Sequence, residues 1–151
     1  MRALLADKRR KAVHVAKKTA KALTAGFMGA VLTSLLIWAC FQSGIFTVLG
    51  VPVSVPENVA GWVGTRVARE FLWALLFLAP VLTTWPEWQR GLVFGLGPAA
   101  VLYFYLLPGQ NFGVFGIDGG LMLPLTGLAF SLMWGAFSGM LLSLMRFHSS
   151  G

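Results

Sequence analysis

Acidic residues are scarce in this chain: Asp7, Glu57, Glu70, Glu87 and Asp118 are the only five in 151 residues. Histidine is scarcer, with His14 and His148 both in the tails, and Cys40 stands alone. A single cysteine excludes an internal disulfide and any cysteine-only metal site. No two of these groups have metal-ligand spacing, and histidine confined to the tails argues against a haem ligated within a span. A Ser/His/Asp set, a GxGxxG at a strand end and a phosphate-cradling lysine loop are all missing. These absences argue against an enzyme and predict no cofactor, although a lipid, quinone or pigment held between aromatic side chains is compatible with them.

Charge of either sign is also rare. Charged residues make up 11% of the chain, where a soluble domain carries about 25%. Hydrophobic residues make up 57% and the mean hydropathy is +0.76. There is too little polar material to cover a water-facing surface, so a bilayer is the expected solvent for most of the chain.

The charge that exists is concentrated. Eight of the twelve basic residues fall within the first 21 positions, with Asp7 as their sole acid. Residues 1–22 read as a cytoplasmic, juxtamembrane helix whose Arg9, Arg10, Lys11, Lys17, Lys18 and Lys21 face anionic lipid headgroups. Nucleic acid is the rival partner for a basic tail. It is set aside because this block abuts an apolar span. Asp7, Arg10, Lys11, His14, Lys17, Lys18 and Lys21 recur at spacings of three and four, so they share one helical face. The stretch IWAC has the look of a lipoprotein cleavage site, but Trp38 fits poorly there, and the first apolar run reads as a retained span.

A spanning helix needs about 20 mainly apolar residues. Four segments meet or approach that length: about 23–48, 63–85, 91–107 and 121–145. Residues 149–151 form a tail. The expected fold is an all-α membrane bundle of four transmembrane helices behind a basic juxtamembrane helix. The N-terminus, Arg90 and Arg146 with His148 then fall on the cytoplasmic side, and a bacterial inner membrane is the expected location.

The links have signatures of their own. In VPVSVPENVAGW, Pro52 and Pro56 stop a helix, and Ser54 with Glu57 fits a capping box for the next. Arg66, Arg69 and Glu70 are then expected at or outside the membrane surface, where Arg66 and Glu70 pair one turn apart. They read either as a charged partner contact or as an ion pair that neutralises the start of a span. TWPEWQRG closes a tight hairpin between the second and third spans. Pro80, Pro98 and Pro124 are candidate kinks.

Two spans carry small residues at every fourth position. These are Gly26, Ala30 and Ser34 in the first, and Gly127, Ser131, Gly135, Gly139 and Ser143 in the fourth. Such stripes let helix backbones approach closely in lipid, so both are expected at helix contacts, against each other or against another protein. GQNFGVFGIDGG joins the third and fourth spans. Its glycines suit a tight turn with positive φ, and Asp118 is placed to cap the fourth helix. Phe112 and Phe115 are too apolar for a free loop. Together with Asp118 they are candidate contacts to a partner or ligand.

The basic tail, AGFMGAVLTSLL, RGLVFGLGP and LMWGAFSGMLLSLM together resemble small bacterial inner-membrane proteins of the YagU-like kind. That resemblance implies a four-span bundle and supplies no catalytic residue. The expected role is a non-catalytic accessory or structural subunit that packs against a larger membrane complex or itself through the small-residue faces. A small channel or transporter subunit and a lipid-surface organiser acting through the basic tail are the alternatives.

Overall fold

The computed structural model describes residues 1–147, with side-chain surroundings for all of them except residues 2–6 and 147. His148 and the tail 149–151 lie outside the described residues. About 80% of the chain is helical, and no strand occurs among the described residues. The helices are α1 (Arg2–Gln42), α2 (Ile45–Val48), α3 (Val59–Trp73), α4 (Glu87–Phe94), α5 (Leu96–Val101), α6 (Leu107–Gly109) and α7 (Met122–Phe147). A 3₁₀ turn, Ala74–Leu78, prolongs α3, and a π segment, Leu102–Leu106, joins α5 to α6.

Three helical stretches are long and apolar enough to cross a membrane: Asp7–Gln42, Glu87–Gly109 and Met122–Arg146. The segment expected as the second span is not among them. Its helical path ends at Leu78, and the extended backbone of Ala79 with Pro80 behind it leads into an irregular link. Arg66, Arg69 and Glu70 near its start lower its apolar content further.

The basic segment is the first part of α1 and not a separate surface helix. An unbroken helix of 41 residues is about 60 Å long at 1.5 Å per residue, roughly twice the hydrocarbon thickness. Residues 7–18 are exposed throughout, and burial sets in at Ala22 and Ala25. α1 stops at Gln42 because Ser43 and Gly44 turn the chain, Gly44 with a φ of 71°.

The four long pieces run alternately up and down. Along α1 and α3, Phe41 meets Trp62 and Gly26 meets Ala74, which makes them antiparallel. Along α1 and α7, Lys21 Nζ donates to the Met145 carbonyl at 3.0 Å and Gly29 sits against Ser138. Along α4 and α7, Glu87 faces Gly139, Gly91 faces Gly135 and Gly95 faces Ser131. The α4–α7 contact is the most extensive, followed by α1–α7 and α1–α3.

Most of the candidate packing residues are buried against the chain itself. Gly26 receives Ala74, Ala30 and Ser34 are fully buried, and Gly127 lies under Leu102. Ser131, Gly135 and Gly139 meet α4, while Ser143 is half-buried. Gly26 of the α1 stripe faces the 3₁₀ turn after α3, and Ser131, Gly135 and Gly139 of the α7 stripe face α4. Where α1 and α7 meet, Gly29 admits Ser138, and the fully buried Trp134 donates its indole N–H to the Gly26 carbonyl at 3.2 Å.

The prolines behave differently from one another. Pro80 lies outside any helix, and Pro124 sits in the first turn of α7, where a missing N–H costs nothing. Only Pro98 accompanies a break. It has no N–H for the Phe94 carbonyl, and α4 gives way to α5 at Gly95. The π segment follows, closed by the Leu107 N–H on the Leu102 carbonyl.

Candidate functional site

The start of α3 decides where its charges fall. Pro52 and Pro56 hold residues 51–56 outside any helix, so Ser54 caps nothing. Asn58 is the N-cap, and its side-chain oxygen accepts from the Gly61 N–H at 2.9 Å. Arg66 and Glu70 then lie between the Trp62–Phe41 contact and the Ala74–Gly26 contact. That level is the middle of the apolar part of α1. The expectation of a charged patch at or beyond the membrane surface is corrected: the pair sits inside the bundle.

The pair is tight. Arg66 Nη2 lies 2.6 Å from Glu70 Oε1, with the two side chains 15% and 4% exposed. The guanidinium also stands 6.0 Å over the Trp62 ring. Two polar atoms of the pair, Arg66 Nε and Glu70 Oε2, are buried without a hydrogen-bond partner among the described residues. A buried ion pair offsets its desolvation only when its remaining donors and acceptors are satisfied. Two open atoms on one pair are thus a feature that packing alone does not explain.

Both residues line a cavity of about 290 Å³, at the small end of the range for ligand pockets, roughly 300–1,000 Å³. α1 and α2 contribute Ile37, Phe41 and Phe46. α3 contributes Trp62, Arg66, Arg69 and Glu70. The broken third strut contributes Pro98, Leu102 and Leu106, and α7 contributes Leu123, Gly127 and Ser131. The hydroxyls in this wall are turned inward to their own helices: Thr65 donates to Gly61, Thr126 to Met122 and Ser131 to Gly127. The charged part of the lining is therefore confined to α3, with Gln110 a further polar residue after α6.

The loop after α6 closes the same end of the bundle. Gly113, Gly116 and Gly120 all take positive φ, as the turn reading required. Phe115 does so as well, with a φ of 62°, and is held by ring contacts to Tyr103 at 5.5 Å and Phe104 at 5.0 Å. Phe112 packs beside the Leu107–Leu123 cluster, whereas Phe115 is 43% exposed. Asp118 is not the α7 cap. It lies within the 3₁₀ turn Val114–Gly119, and its carboxylate covers the α-carbon of Gly113.

Of the basic residues expected at lipid headgroups, Arg9, Arg10, Lys11, Lys17 and Lys18 are exposed, and Lys21 is half-buried. Lys11 pairs with Asp7 at 2.8 Å. Arg90 was expected only as an orientation marker on the cytoplasmic side. It is 3% exposed and serves the end of the α3 path: Nε donates to Val81 O at 3.1 Å, and Nη2 to Ala79 O at 3.1 Å and Phe77 O at 3.4 Å. Its Nη1 meets Glu87 at 2.9 Å, and Glu87 also pairs with Arg146. One arginine thus answers carbonyls that the end of a helix leaves open.

What sequence reasoning missed is the depth of Arg66 and Glu70 and the chamber beside them. Their spacing of four was the available signal, but the depth depends on which residue starts α3. No family model, curated protein or solved structure matches this chain.

Proposed function

We propose that this chain is a non-enzymatic, solute-handling subunit of a bacterial inner membrane, with four spans and both ends cytoplasmic. The chamber beside Arg66 and Glu70 receives a small polar or ionic solute. One observation carries this reading: Arg66 Nε and Glu70 Oε2 are buried and unpartnered on residues that line a cavity. Ionisable groups amid membrane helices are costly, and where they occur they mark solute or ion paths. The pair offers a donor and an acceptor to the same guest, and Arg69 adds positive charge, which suits a small anion or zwitterion. The wall opposite is the interrupted strut of Pro98 and the π segment. Non-helical irregularity of this kind recurs at functional sites.

The small-residue faces give less support to an outside partner, because Gly26, Gly127, Ser131, Gly135 and Gly139 meet other helices of the same chain. The accessory-subunit reading rests instead on the aromatic corner, where Phe104, Tyr105, Phe115 and Ile117 are exposed at 62%, 76%, 43% and 60%.

The test is flux. Liposomes containing only this chain are compared with empty ones for uptake of chloride, acetate and glycine. The wild type should accelerate at least one of the three, and Glu70→Gln should abolish that gain while the protein stays helical by circular dichroism. Flux equal to that of empty vesicles for all three would overturn the proposal. Co-extraction of a stoichiometric membrane partner that is lost on Phe115→Ala would favour the accessory reading.

A further inference from the structure

A second cavity, of about 980 Å³, lies at the opposite end of the bundle. One wall is α1, with His14, Lys17, Lys18 and Lys21 on a single helical face. The facing wall is apolar, with Phe77, Leu78, Pro80 and Leu142, and Arg90 and Arg146 stand at its base. None of the described residues lining it is acidic. Glu87, the nearest carboxylate in sequence to Arg90, is already engaged by Arg90 and Arg146.

The position of this cleft bears on its occupant. It spans the point on α1 where exposed basic residues give way to buried Ala22 and Ala25. In a membrane helix that point is the headgroup level. The adjoining link carries Trp85 and the first turn of α4 carries Trp88, exposed at 46% and 44%, and tryptophan of this kind sits at the membrane–water interface. Leu78 of the cleft wall and Val81 beyond it are exposed apolar residues, at 39% and 52% exposure. Cations at headgroup depth beside an apolar wall match a molecule with an anionic head and hydrocarbon tails.

We propose that this cleft binds the phosphodiester head of an anionic phospholipid. Lys17 and Lys18 contact the phosphate, and the acyl chains run along Leu78 and Val81. Lys21 and Arg90 hold the cleft in shape, since the first donates to the Met145 carbonyl and the second to the carbonyls of the 77–81 corner. This site is separate from the Arg66–Glu70 chamber and does not depend on a solute entering it.

The experiment uses the whole chain in mild detergent, with native mass spectrometry reading retained lipid after addition of equal phosphatidylglycerol and phosphatidylcholine. The wild type should retain phosphatidylglycerol in preference. The double variant Lys17→Gln/Lys18→Gln should lose at least about tenfold of that retention, since each interfacial cation contributes appreciably to anionic-lipid attraction. Lys8→Gln, on the same helix but outside the cleft, should keep it within about twofold on the same grounds. All three substituted residues are exposed, and circular dichroism checks that the fold is intact. Equal retention of the two lipids by the wild type, or equal damage from the Lys8 variant and the double variant, would overturn the proposal. Displacement of phosphatidylglycerol by inorganic phosphate alone would also overturn it, in favour of a soluble-anion site. The first and last of these readouts need no variant.

Discussion

Gly91 and Gly135 face each other across the α4–α7 contact so closely that a β-carbon on either would overlap the other's carbonyl oxygen. The backbones touch because neither residue has a side chain. In lipid, where burial of apolar groups gains little, such direct backbone contact is what holds helices together. Gly91→Ala or Gly135→Ala should therefore destabilise the bundle by about 1–3 kcal/mol, the range for forced overpacking, and leucine by more. Gly64→Ala is the control. It meets nothing within 4 Å and should match or exceed the wild type, since alanine favours helix by up to ~1 kcal/mol. Thermal unfolding in one detergent checks the order; equal midpoints for all four proteins would mean that α4 and α7 do not meet at these glycines.

The Arg66–Glu70 pair should show strong coupling. Removing one partner leaves the other buried without its counter-charge, at a cost of about 3–5 kcal/mol. Arg66→Met and Glu70→Leu should each destabilise accordingly, while the double variant, which removes both charges, should be more stable than either single one. If the pair lay at an exposed surface, the singles would cost less than about 1 kcal/mol and the double would be additive. Flux through the double variant should be lost although its fold is kept, which separates the pair's function from its structural cost.

The cap of α3 is open to an equally direct check. Asn58→Ala should cost about 1 kcal/mol, because the Gly61 N–H loses its acceptor. Ser54→Ala should be neutral, since Ser54 lies in the non-helical stretch before Pro56. A reversed result would restore the capping box at Ser54 and move the start of α3, and with it the helical setting of Arg66.

These relationships also show which features of the chain can be read without coordinates. The small-residue stripes on α1 and α7 are legible because a period of four repeats over several turns of one helix. Their partners are not, because the stripe states that something approaches without stating what; Gly135 meets Gly91, a residue of the preceding strut, which has glycines of its own. The spacing of Arg66 and Glu70 likewise announces an ion pair. Its depth rests on the start of α3, where Pro56 outweighs an attractive Ser-x-x-Glu pattern and passes the cap to Asn58. The break at Gly95 follows from Pro98, but the π segment after it is set by tertiary contacts, among them the Tyr103 hydroxyl donating to the Pro124 carbonyl at 2.7 Å. Arg90 is the plainest loss: a single basic residue after two tryptophans reads as a marker of sidedness, and nothing local reveals that it folds back onto the chain nine to thirteen residues earlier.

That folding back makes Arg90 the strongest test of the α3–α4 corner. Its planar fork reaches the Phe77, Ala79 and Val81 carbonyls while holding Glu87, a geometry that a lysine ammonium cannot reproduce. Arg90→Lys keeps the charge and should still weaken the corner, because carbonyls in a buried setting are left without donors at about 1–3 kcal/mol each. Arg90→Met removes the charge as well and frees Glu87 to Arg146 alone, so it should be the worse of the two. Hydrogen exchange over residues 77–86 should rise in the order wild type, Arg90→Lys, Arg90→Met, while exchange over the α4–α7 glycine contact changes little. If Arg90→Lys protects the corner as well as the wild type does, positive charge alone holds it, and the three carbonyl contacts are incidental.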